Sequence, residues 1–386
     1  MKFLFASDSF KGSLSSEDTI RLLTKAAKTV FPDCETEGIP VADGGEGTTE
    51  AVVRARRGTI EQVPVHGPLM EKEQAFYGKL SDSEAILEMA SASGLPMVPK
   101  GKRNPLNTTT YGTGELLKAA LDAGFSKISI AIGGSATNDG GMGFARALGV
   151  RFLDASGKEL EGCGKDLEKV ADIDVTGMDP RAAKAEITVM CDVTNPLCGP
   201  DGATFTFGAQ KGGTPEILDR LEKGMQNYRD VIRRKFRIDP DQVQGSGAAG
   251  GLGAALKVFF HAEMKSGIET VLDLIDFDAR LEGVSLVVTG EGRTDWQSCF
   301  GKVMQGVGDR AAARDIPVVA LCGSLGKDYE KIYEHGIHSI LTTVDAPMPL
   351  ARALDNAKEL YLKGAVRLFR FVKAGMVAGA HEKTFR

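Results

Sequence analysis

The sequence predicts an α/β protein of two domains, one built on a doubly wound parallel sheet and the other, inserted into it, on a mixed sheet. Apolar strand-like runs alternate with helical patterns along most of the 386 residues, which is typical of parallel sheets with helices on both faces. Three strand-like runs between residues 58 and 89 follow one another with short turns, which favours antiparallel pairing. Glycine-rich loops follow several strands, as at the ligand-binding edge of open α/β sheets.

The first and last parts of the chain carry the doubly wound pattern, so we expect a discontinuous domain of residues 1–59 and 281–386 and an inserted domain of residues 60–280. Polar segments that end in glycine, residues 56–58 and 281–283, are the candidate hinges. Residues 377–383 lack a pattern and are predicted to be a frayed tail. Strands are predicted at residues 3–6, 39–41, 60–65, 74–80, 85–89, 128–132, 150–153, 187–191, 286–289, 318–321 and 340–344. Helices are predicted at residues 16–30, 114–123, 144–148, 215–236 and 303–313.

Composition excludes several classes of function. The net charge is −5 and the basic residues are scattered, which predicts no nucleic-acid partner. No apolar run approaches the ~20 residues of a membrane helix, and the first strand begins almost at the N-terminus without a signal sequence. Six cysteines without a CxxC pair indicate reduced thiols in a cytoplasmic protein. Five histidines without an HExxH motif argue against zinc.

The string IGGSATNDGG (residues 132–141) follows an apolar strand and precedes a helical pattern. Glycine backbone can approach a phosphate closely, and a helix N-terminus adds partial positive charge. The loop is therefore a candidate anion site, although the same pattern also suits a capped strand-to-helix turn. Glycine makes up about 12% of the chain against a usual ~7%, and its clustering at several strand ends favours one polyanion-binding cleft. The loop residues of interest are Gly133, Gly134, Ser135, Thr137 and Asn138.

Polar and charged residues stand at the ends of four predicted strands. Carboxylates can hold Mg²⁺ and cations can neutralise a transferred phosphoryl group, so this set suits a nucleotide-plus-magnesium site. Each acid could instead cap a helix or turn. The set comprises Asp8, Ser9 and Lys11 after the first strand, Asp43 and Glu46 after the second, Asp192 and Asn195 after residues 187–191, and Glu291, Arg293 and Asp295 after residues 286–289.

Two nucleotide motifs can be weighed directly. No GxxxxGK[ST] string is present, which argues against a P-loop kinase. Residues 245–250 match GxGxxG, but the residues before them are polar and contain Pro240, so no buried strand leads into the turn. An NAD(P)-dependent hydroxy-acid dehydrogenase is therefore the weaker alternative. The segment TTTYGTGE (residues 108–115) is either a phosphate or substrate contact or a capped helix start.

Taken together, the motifs resemble the bacterial glycerate kinase family. The strings, in chain order, are SDSFKGSLS, ADGGEGT, TTTYGTGELL, IGGSATNDGG, CDVTNPLCGP, FGAQKG, GAAGGLG and GEGRTD followed by GK, spanning residues 7–302. The resemblance implies two α/β domains, one of them Rossmann-like, and phosphorylation of D-glycerate by ATP and Mg²⁺. It also implies 2-phosphoglycerate as product, with the 3-phosphoglycerate-forming reaction as an alternative. Ala209, Trp296 and Ser298 depart from the usual pattern and affect local loop shape.

These expectations assign hypothetical roles in a cleft between the two domains. Asp192 accepts the proton of the attacking hydroxyl, and Asp8 or Asp295 helps to hold Mg²⁺. Lys11 and Arg293 bind the glycerate carboxylate or the γ-phosphoryl group, in either order. The 133–138 loop, Gly290 and Glu291 bind ATP, and the substrate contacts are Ser9, Asp43, Glu46 and Asn195. The partners are small molecules only, and the protein is a monomer or homodimer. A sugar-acid sensor without turnover is the rival from another class, but no DNA-binding or partner module is visible.

Overall fold

The computed structural model describes residues 1–384, which form two compact units. The first unit consists of residues 1–43 together with those from 268 onward, and the second of residues 44–267. Each unit has its own sheet covered by helices. The predicted α/β class, with one parallel and one mixed sheet, is confirmed.

The first unit is built on a parallel sheet of five strands. In spatial order these are Glu35–Gly38, Lys2–Phe5, Leu286–Thr289, Val318–Cys322 and Ile337–Thr342. When the strands are numbered along this unit, their spatial order is 2-1-3-4-5. This is a doubly wound arrangement in which the strand order reverses between Lys2–Phe5 and Leu286–Thr289. A short parallel pair, Arg293–Thr294 with Ser324–Leu325, lies in the loops that follow two of these strands.

Helices of the first unit bury apolar faces against this sheet. Ser16–Val30 begins after Ser15, whose hydroxyl accepts the Asp18 N–H at 3.1 Å, and this capping bond satisfies one of the free N–H groups of the first turn. The last helix packs against it, and the ring of Phe369 on that helix lies 5.3 Å from the ring of Phe3 at an interplanar angle of 37°. The helices are Ser16–Val30, Gly267–Leu274, Phe277–Arg280, Val303–Ala312, Leu350–Asp355 and Ala357–Thr384.

The second unit is built on a mixed sheet of six strands. Glu263–Lys265, Glu186–Met190, Lys127–Ala131 and Glu84–Glu88 run parallel in that order, and Lys72–Lys79 and Thr59–His66 continue the sheet antiparallel. The predicted antiparallel run between residues 58 and 89 is therefore confirmed. A small antiparallel pair is formed by Arg151–Leu153 and Asp172–Asp174. The helices are Thr48–Arg56, Ala90–Ser93, Tyr111–Asp122, Met142–Ala147, Ala203–Phe207, Pro215–Phe236 and Ala248–Phe260.

The boundaries between the two units along the chain differ from the domain boundaries predicted at 59/60 and 280/281. The chain passes between units at 43/44 and at 267/268. Helix Thr48–Arg56 belongs to the second unit because it packs on its sheet, where the Glu88 carboxylate accepts the Gly47 and Thr49 N–H groups. Helix Gly267–Leu274 is tied to the first unit through Arg310, which binds Glu269. The hinges proposed at residues 56–58 and 281–283 thus fall inside the units.

Two local expectations were wrong. The stretch predicted as a frayed tail continues the helix Ala357–Thr384, since the preceding turns of that helix are anchored in the core by Tyr361 and Phe369. Residues 39–41 do not form a strand, because the strand that pairs with Lys2–Phe5 is Glu35–Gly38, which directly precedes them in the chain. Within residues 1–384 every helix is too short or too polar to span a bilayer, and the six cysteines are free thiols.

Candidate functional site

In the first unit, the charged residues gather where the strand order reverses. The Asp8 N–H donates to the Gly290 carbonyl at 2.9 Å, and the Thr289 hydroxyl donates to the Ala6 carbonyl at 2.8 Å. These bonds fasten the loops after Lys2–Phe5 and Leu286–Thr289 side by side. The carboxyl ends of strands at such a reversal are where open α/β sheets bind ligands.

Three carboxylates and one ammonium interact electrostatically at this position. Burial and the neighbouring charge of Asp43 raise the pKa of Asp8 to about 7, Glu291 adds to the rise, and Lys11 and the Ser9 N–H oppose it. Burial also raises the pKa of Glu291, whose carboxylate accepts a 2.6 Å hydrogen bond from Ser298. Crowded carboxylates of this kind are stabilised by a cation. All the candidate ligands are oxygen donors, which suits Mg²⁺.

Lys11 stands on a tight turn anchored from below. Phe10 exchanges backbone hydrogen bonds with Leu14 and packs its buried ring edge-on against Tyr361 at 5.2 Å. The turn leaves Lys11 itself exposed. A Cβ added to Gly292 would lie 3.9 Å from the backbone nitrogen of Lys11, so the turn and the 290–293 loop are neighbours. An exposed ammonium on a fixed turn is suited to meet an anionic ligand.

Arg293 and Asp295 have different surroundings. The Arg293 side chain is 68% exposed, and its Nε lies 3.6 Å from Asp295 Oδ2. Asp295 begins the short helix Trp296–Cys299, and its Oδ1 accepts the Gln297 N–H at 3.0 Å. Asp295 therefore has the helix-capping role that was the alternative to metal binding. Gly326, from the next glycine-rich loop, packs tightly against both side chains.

In the second unit, the ends of the parallel strands bring further predicted residues together. A Cβ on Gly44 would lie 3.1 Å from the Met190 side chain and 3.2 Å from Gly267. The exposed Asp192 accepts the Gly267 N–H on Oδ1 at 2.9 Å. A Cβ on Gly133 would in turn lie 3.0 Å from Gly45. The ADGGEGT, IGGSATNDGG and CDVTNPLCGP strings are therefore adjacent in the fold.

The 133–138 loop is exposed at one end and buried at the other. Gly134 is exposed and Gly133 is half-buried, whereas Thr137 and Asn138 are fully buried. The amides of Gly133 and Gly134 donate no hydrogen bond to any part of the chain between residues 1 and 384. The loop is braced from the side, where Leu95 N–H donates to the Gly134 carbonyl at 2.8 Å. Free amides on a braced glycine turn are an arrangement that binds anions.

Asp139, which the sequence analysis did not select, connects two of the motifs. Its fully buried carboxylate accepts the Thr110 N–H at 2.7 Å and the Thr110 hydroxyl at 2.8 Å. It also accepts the N–H groups of Gly141 and Gly143 at 3.1 and 3.2 Å. One carboxylate thus holds the starts of helices Tyr111–Asp122 and Met142–Ala147 together. The TTTYGTGE segment is accordingly part of the support of the loop.

A second missed residue lies directly under the loop. Lys211 is 2% exposed, and its Nζ donates to Ser135 Oγ at 2.8 Å and to the Thr137 carbonyl at 2.6 Å. It belongs to the FGAQKG string, and a lysine followed by two glycines was the available signal.

The glycines of residues 245–253 serve close packing. A Cβ on Gly250 would lie 2.1 Å from the Thr137 carbonyl oxygen, and one on Gly247 would lie 2.2 Å from that of Pro196. The residues before them form the 3₁₀ helix Pro240–Gln242 and no strand. The GxGxxG match therefore lacks the strand that a dinucleotide site requires.

The remaining candidates take local positions. The Ser9 N–H donates to Asp8 Oδ1 at 2.6 Å, and Glu46 is exposed. Asn195 Nδ2 donates to the Asp201 carbonyl at 2.7 Å, so this amide braces its own loop. The candidate residues are divided between the two units. The first unit contains Asp8, Ser9, Lys11, Asp43, Gly290, Arg293 and Asp295. The second unit contains Glu46, Asp192, Asn195 and the 133–138 loop.

A separate group of possible metal ligands has a structural explanation. Between residues 1 and 384, ligand atoms of Glu161, Cys163 and Asp166 lie within 4.8 Å of one another. Asp166 accepts the Gly162 N–H at 3.1 Å and the Cys163 thiol at 3.3 Å. Burial and Asp166 raise the pKa of the Cys163 thiol to about 12. Cys163 and Asp166 therefore form a cap of the 3₁₀ helix Gly164–Lys169 in which the thiol is protonated.

Comparison with known proteins gives a consistent result along the chain. The model of the glycerate kinase family matches residues 3–373. A glycerate kinase of Bacillus subtilis (strain 168) is 45% identical over 368 residues, 95% of this chain and 96% of the relative. A glycerate 2-kinase of Escherichia coli (strain K12) is 42% identical over 377 residues, 97% and 99% of the two chains. A crystal structure described as glycerate kinase 2 from Salmonella typhimurium LT2 superposes with a TM-score of 0.87 at 44% identity, covering 97% and 99%.

Proposed function

The chain belongs to the glycerate kinase family and is an enzyme of that kind, and from this premise we propose that it transfers the γ-phosphoryl group of ATP to the 2-hydroxyl of D-glycerate. The observation that carries the proposal is the near full-length similarity to a relative named glycerate 2-kinase. Two features of the structure support it. One is a glycine turn with free amides, and the other is a group of oxygen ligands beside an exposed lysine.

We propose that Asp192 is the general base. Its carboxylate accepts the proton of the attacking hydroxyl as the new O–P bond forms and the bond to the β-phosphate breaks, which releases ADP. Asp192 is exposed, and the bond from the Gly267 N–H to its Oδ1 ties its side chain to the start of helix Gly267–Leu274. Phosphoryl transfer needs mainly positioning and charge neutralisation, so the surrounding residues contribute chiefly by binding.

The 133–138 loop is assigned to the ATP phosphates, with contact through the amides of Gly133 and Gly134. Gly290 and Glu291 are assigned to the nucleotide as well. Lys11 and Arg293 are assigned to the glycerate carboxylate and the γ-phosphoryl group, because both are exposed cations. Ser9, Asp43, Glu46 and Asn195 stay candidates for substrate contact.

Asp8 is the better of the two candidate magnesium ligands. It lies with Asp43 and Glu291, whereas Asp295 is engaged in a helix cap and with Arg293. When bound, Mg²⁺ supplies positive charge that offsets the phosphate oxygens. Asp8 and its neighbours hold and orient that charge. The cleft between the two domains, the cytoplasmic location and the choice between monomer and homodimer stay predictions.

A phosphorus NMR spectrum of the reaction with ATP, Mg²⁺ and D-glycerate tests the proposal. We expect ADP and 2-phosphoglycerate to appear together, and no phosphoglycerate when EDTA removes the metal. A signal of 3-phosphoglycerate would show that the 3-hydroxyl is the group that is phosphorylated. A change in nicotinamide absorbance with D-glycerate, without ATP and without any phosphoglycerate, would favour the dehydrogenase instead.

The roles of Lys11 and Arg293 are separated by replacing each with Met. Because both side chains are exposed, we expect the melting temperature to stay within about 1 °C of the wild type. The KM for one substrate should rise, and the substrate affected identifies the group that each cation meets. A variant that melts earlier with unchanged kinetics would show a structural ion pair.

A further inference from the structure

Lys211 is a buried lysine that contacts the proposed phosphate loop. It ends the 3₁₀ helix Ala209–Lys211, and its backbone is held in place by Gly212, where a Cβ would lie 2.3 Å from the Arg103 carbonyl oxygen. Its two hydrogen bonds reach Ser135 and Thr137. Gly133 and Gly134 directly precede these residues in the chain, so Lys211 fixes the part of the loop that supports the two glycines.

The buried surroundings of Lys211 destabilise the charged form of its side chain. Burial lowers the pKa of Lys211 to about 7, and the negative charge of Asp139 opposes this effect. Asp139 is already bonded to Thr110 and to two backbone amides. The guanidinium of Arg103, the charged neighbour beside Gly212, donates to the carbonyls of Leu95 and Val98.

An ammonium has three N–H donors, and the bonds to the loop use two of them. A neutral side chain could brace the loop equally well, whereas a side chain that becomes charged near neutrality can also respond to an anion. Negative charge brought to the loop favours the protonated form of a nearby lysine.

We propose that Lys211 is a positioning residue for nucleotide binding, which holds residues 135–137 in shape and takes up a proton when phosphate groups bind to the loop. This inference rests on the proposed function, since it requires the nucleotide to bind at residues 133–138. Lys211 acts through the loop and through its charge.

Proton uptake on binding of ADP tests the inference without turnover. Isothermal titration calorimetry at pH 8, in two buffers that differ in ionisation enthalpy, gives the number of protons taken up. We expect the wild type to take up several tenths of a proton more than Lys211→Met, because Lys211 is mostly neutral at pH 8 before ADP binds. Between pH 6 and 8 the affinity for ADP should fall about fivefold more in the wild type than in the variant.

Two further variants complete the experiment. Lys223→Met makes the same change at an exposed position on helix Pro215–Phe236 and should leave uptake and affinity as in the wild type. Lys211→Gln keeps an amide NH₂ group that can donate to the loop but cannot titrate. It should lose the extra uptake while binding ADP more tightly than Lys211→Met.

Equal proton uptake in the wild type and in the folded Lys211 variants would overturn the inference and leave the proposed function intact. Failure of the wild type to bind ADP at any pH would instead overturn the nucleotide proposal and this inference with it.

Discussion

Asp192 can be tested by an amide replacement that leaves its backbone contact in place. In Asp192→Asn the Oδ1 acceptor for the Gly267 N–H is retained, so the fold should be unchanged. We expect kcat to fall at least about 10²-fold, the usual contribution of a general base, with little change in the KM for ATP. Steady-state kinetics and a thermal melt measure both effects.

The matched control is Asp201→Asn, which removes an exposed carboxylate from the same polypeptide segment and should keep normal turnover. If Asp192→Asn were nearly as active as the wild type, Asp192 would be a turn residue, and the proton acceptor would have to be sought elsewhere.

Asp8 links activity to stability at the scale of one residue. Its pKa is about 7 in the folded protein against 3.8 for an ordinary aspartate. The stability that the neutral carboxyl provides is therefore fully present below pH 3.8 and is lost progressively as the pH rises from there to about 7. We expect Asp8→Asn to melt at a higher temperature than the wild type at pH 8, to show a much smaller advantage at pH 5, and to need much more Mg²⁺ for activity. A melting difference independent of pH would show that Asp8 is not strained by ionisation.

At the scale of an element, the ADGGEGT loop depends on glycine for two separate reasons. Gly44 and Gly47 both have positive φ, 88° and 86°, a conformation that strains other residues. Only Gly44 is also confined, by Met190 and Gly267, whereas nothing lies within 4 Å of a Cβ on Gly47. The two positions therefore separate backbone strain from steric conflict.

We expect Gly44→Ala to reduce kcat/KM about tenfold or more and to lower the melting temperature further than Gly47→Ala does. The physical reason is that the added methyl displaces the chain beside Asp192, at the point where it passes between the two units. Kinetics and calorimetry on the two variants measure this difference. Equal effects would mean that only the positive φ matters at this loop.

The elements themselves were largely predictable because local pattern determines them. The helices Ser16–Val30 and Pro215–Phe236 coincide with the predicted ranges, since each has a hydroxyl N-cap and an apolar face of helical period. The strand Asp172–Asp174, in contrast, carries no strand pattern, because two of its three residues are charged and its pairing with Arg151–Leu153 is set by tertiary contacts.

The support beneath the site was less predictable. Asp139 and Lys211 lie 72 residues apart in the chain by their numbering. The folded backbone alone brings Thr110 to Asp139, and Ser135 and Thr137 to Lys211. Sequence reasoning favoured Thr137 and Asn138 as ligand contacts because of their residue types. Both side chains are completely buried, and the backbone of Thr137 and Asn138 packs against Gly250. The glycines of residues 245–253 do not reveal this contact when the sequence is read alone.

For the whole molecule, the division of the candidate residues between two units leads to a prediction about motion. Asp192 and the 133–138 loop belong to one unit, and Asp8, Lys11 and Arg293 to the other, yet the proposed reaction needs all of them on one pair of substrates. The γ-phosphoryl group must also be kept from water, which kinases commonly achieve by closing on their ligands. The chain passes between units beside Gly44 and Gly267, so these glycines replace residues 56–58 and 281–283 as the candidate hinge.

Small-angle X-ray scattering measures this closure directly. We expect the radius of gyration to decrease when D-glycerate, Mg²⁺ and a non-hydrolysable ATP analogue are all present at saturation, and to change less with either substrate alone. Gly44→Ala should weaken the decrease, because a side chain at that position resists backbone rotation, whereas Gly47→Ala should retain it. An unchanged radius of gyration in the wild type at saturating ligand would contradict closure. Water would then have to be excluded by a preformed rigid site. In that case the hydrolysis of ATP without D-glycerate should be slow in the wild type and in both glycine variants.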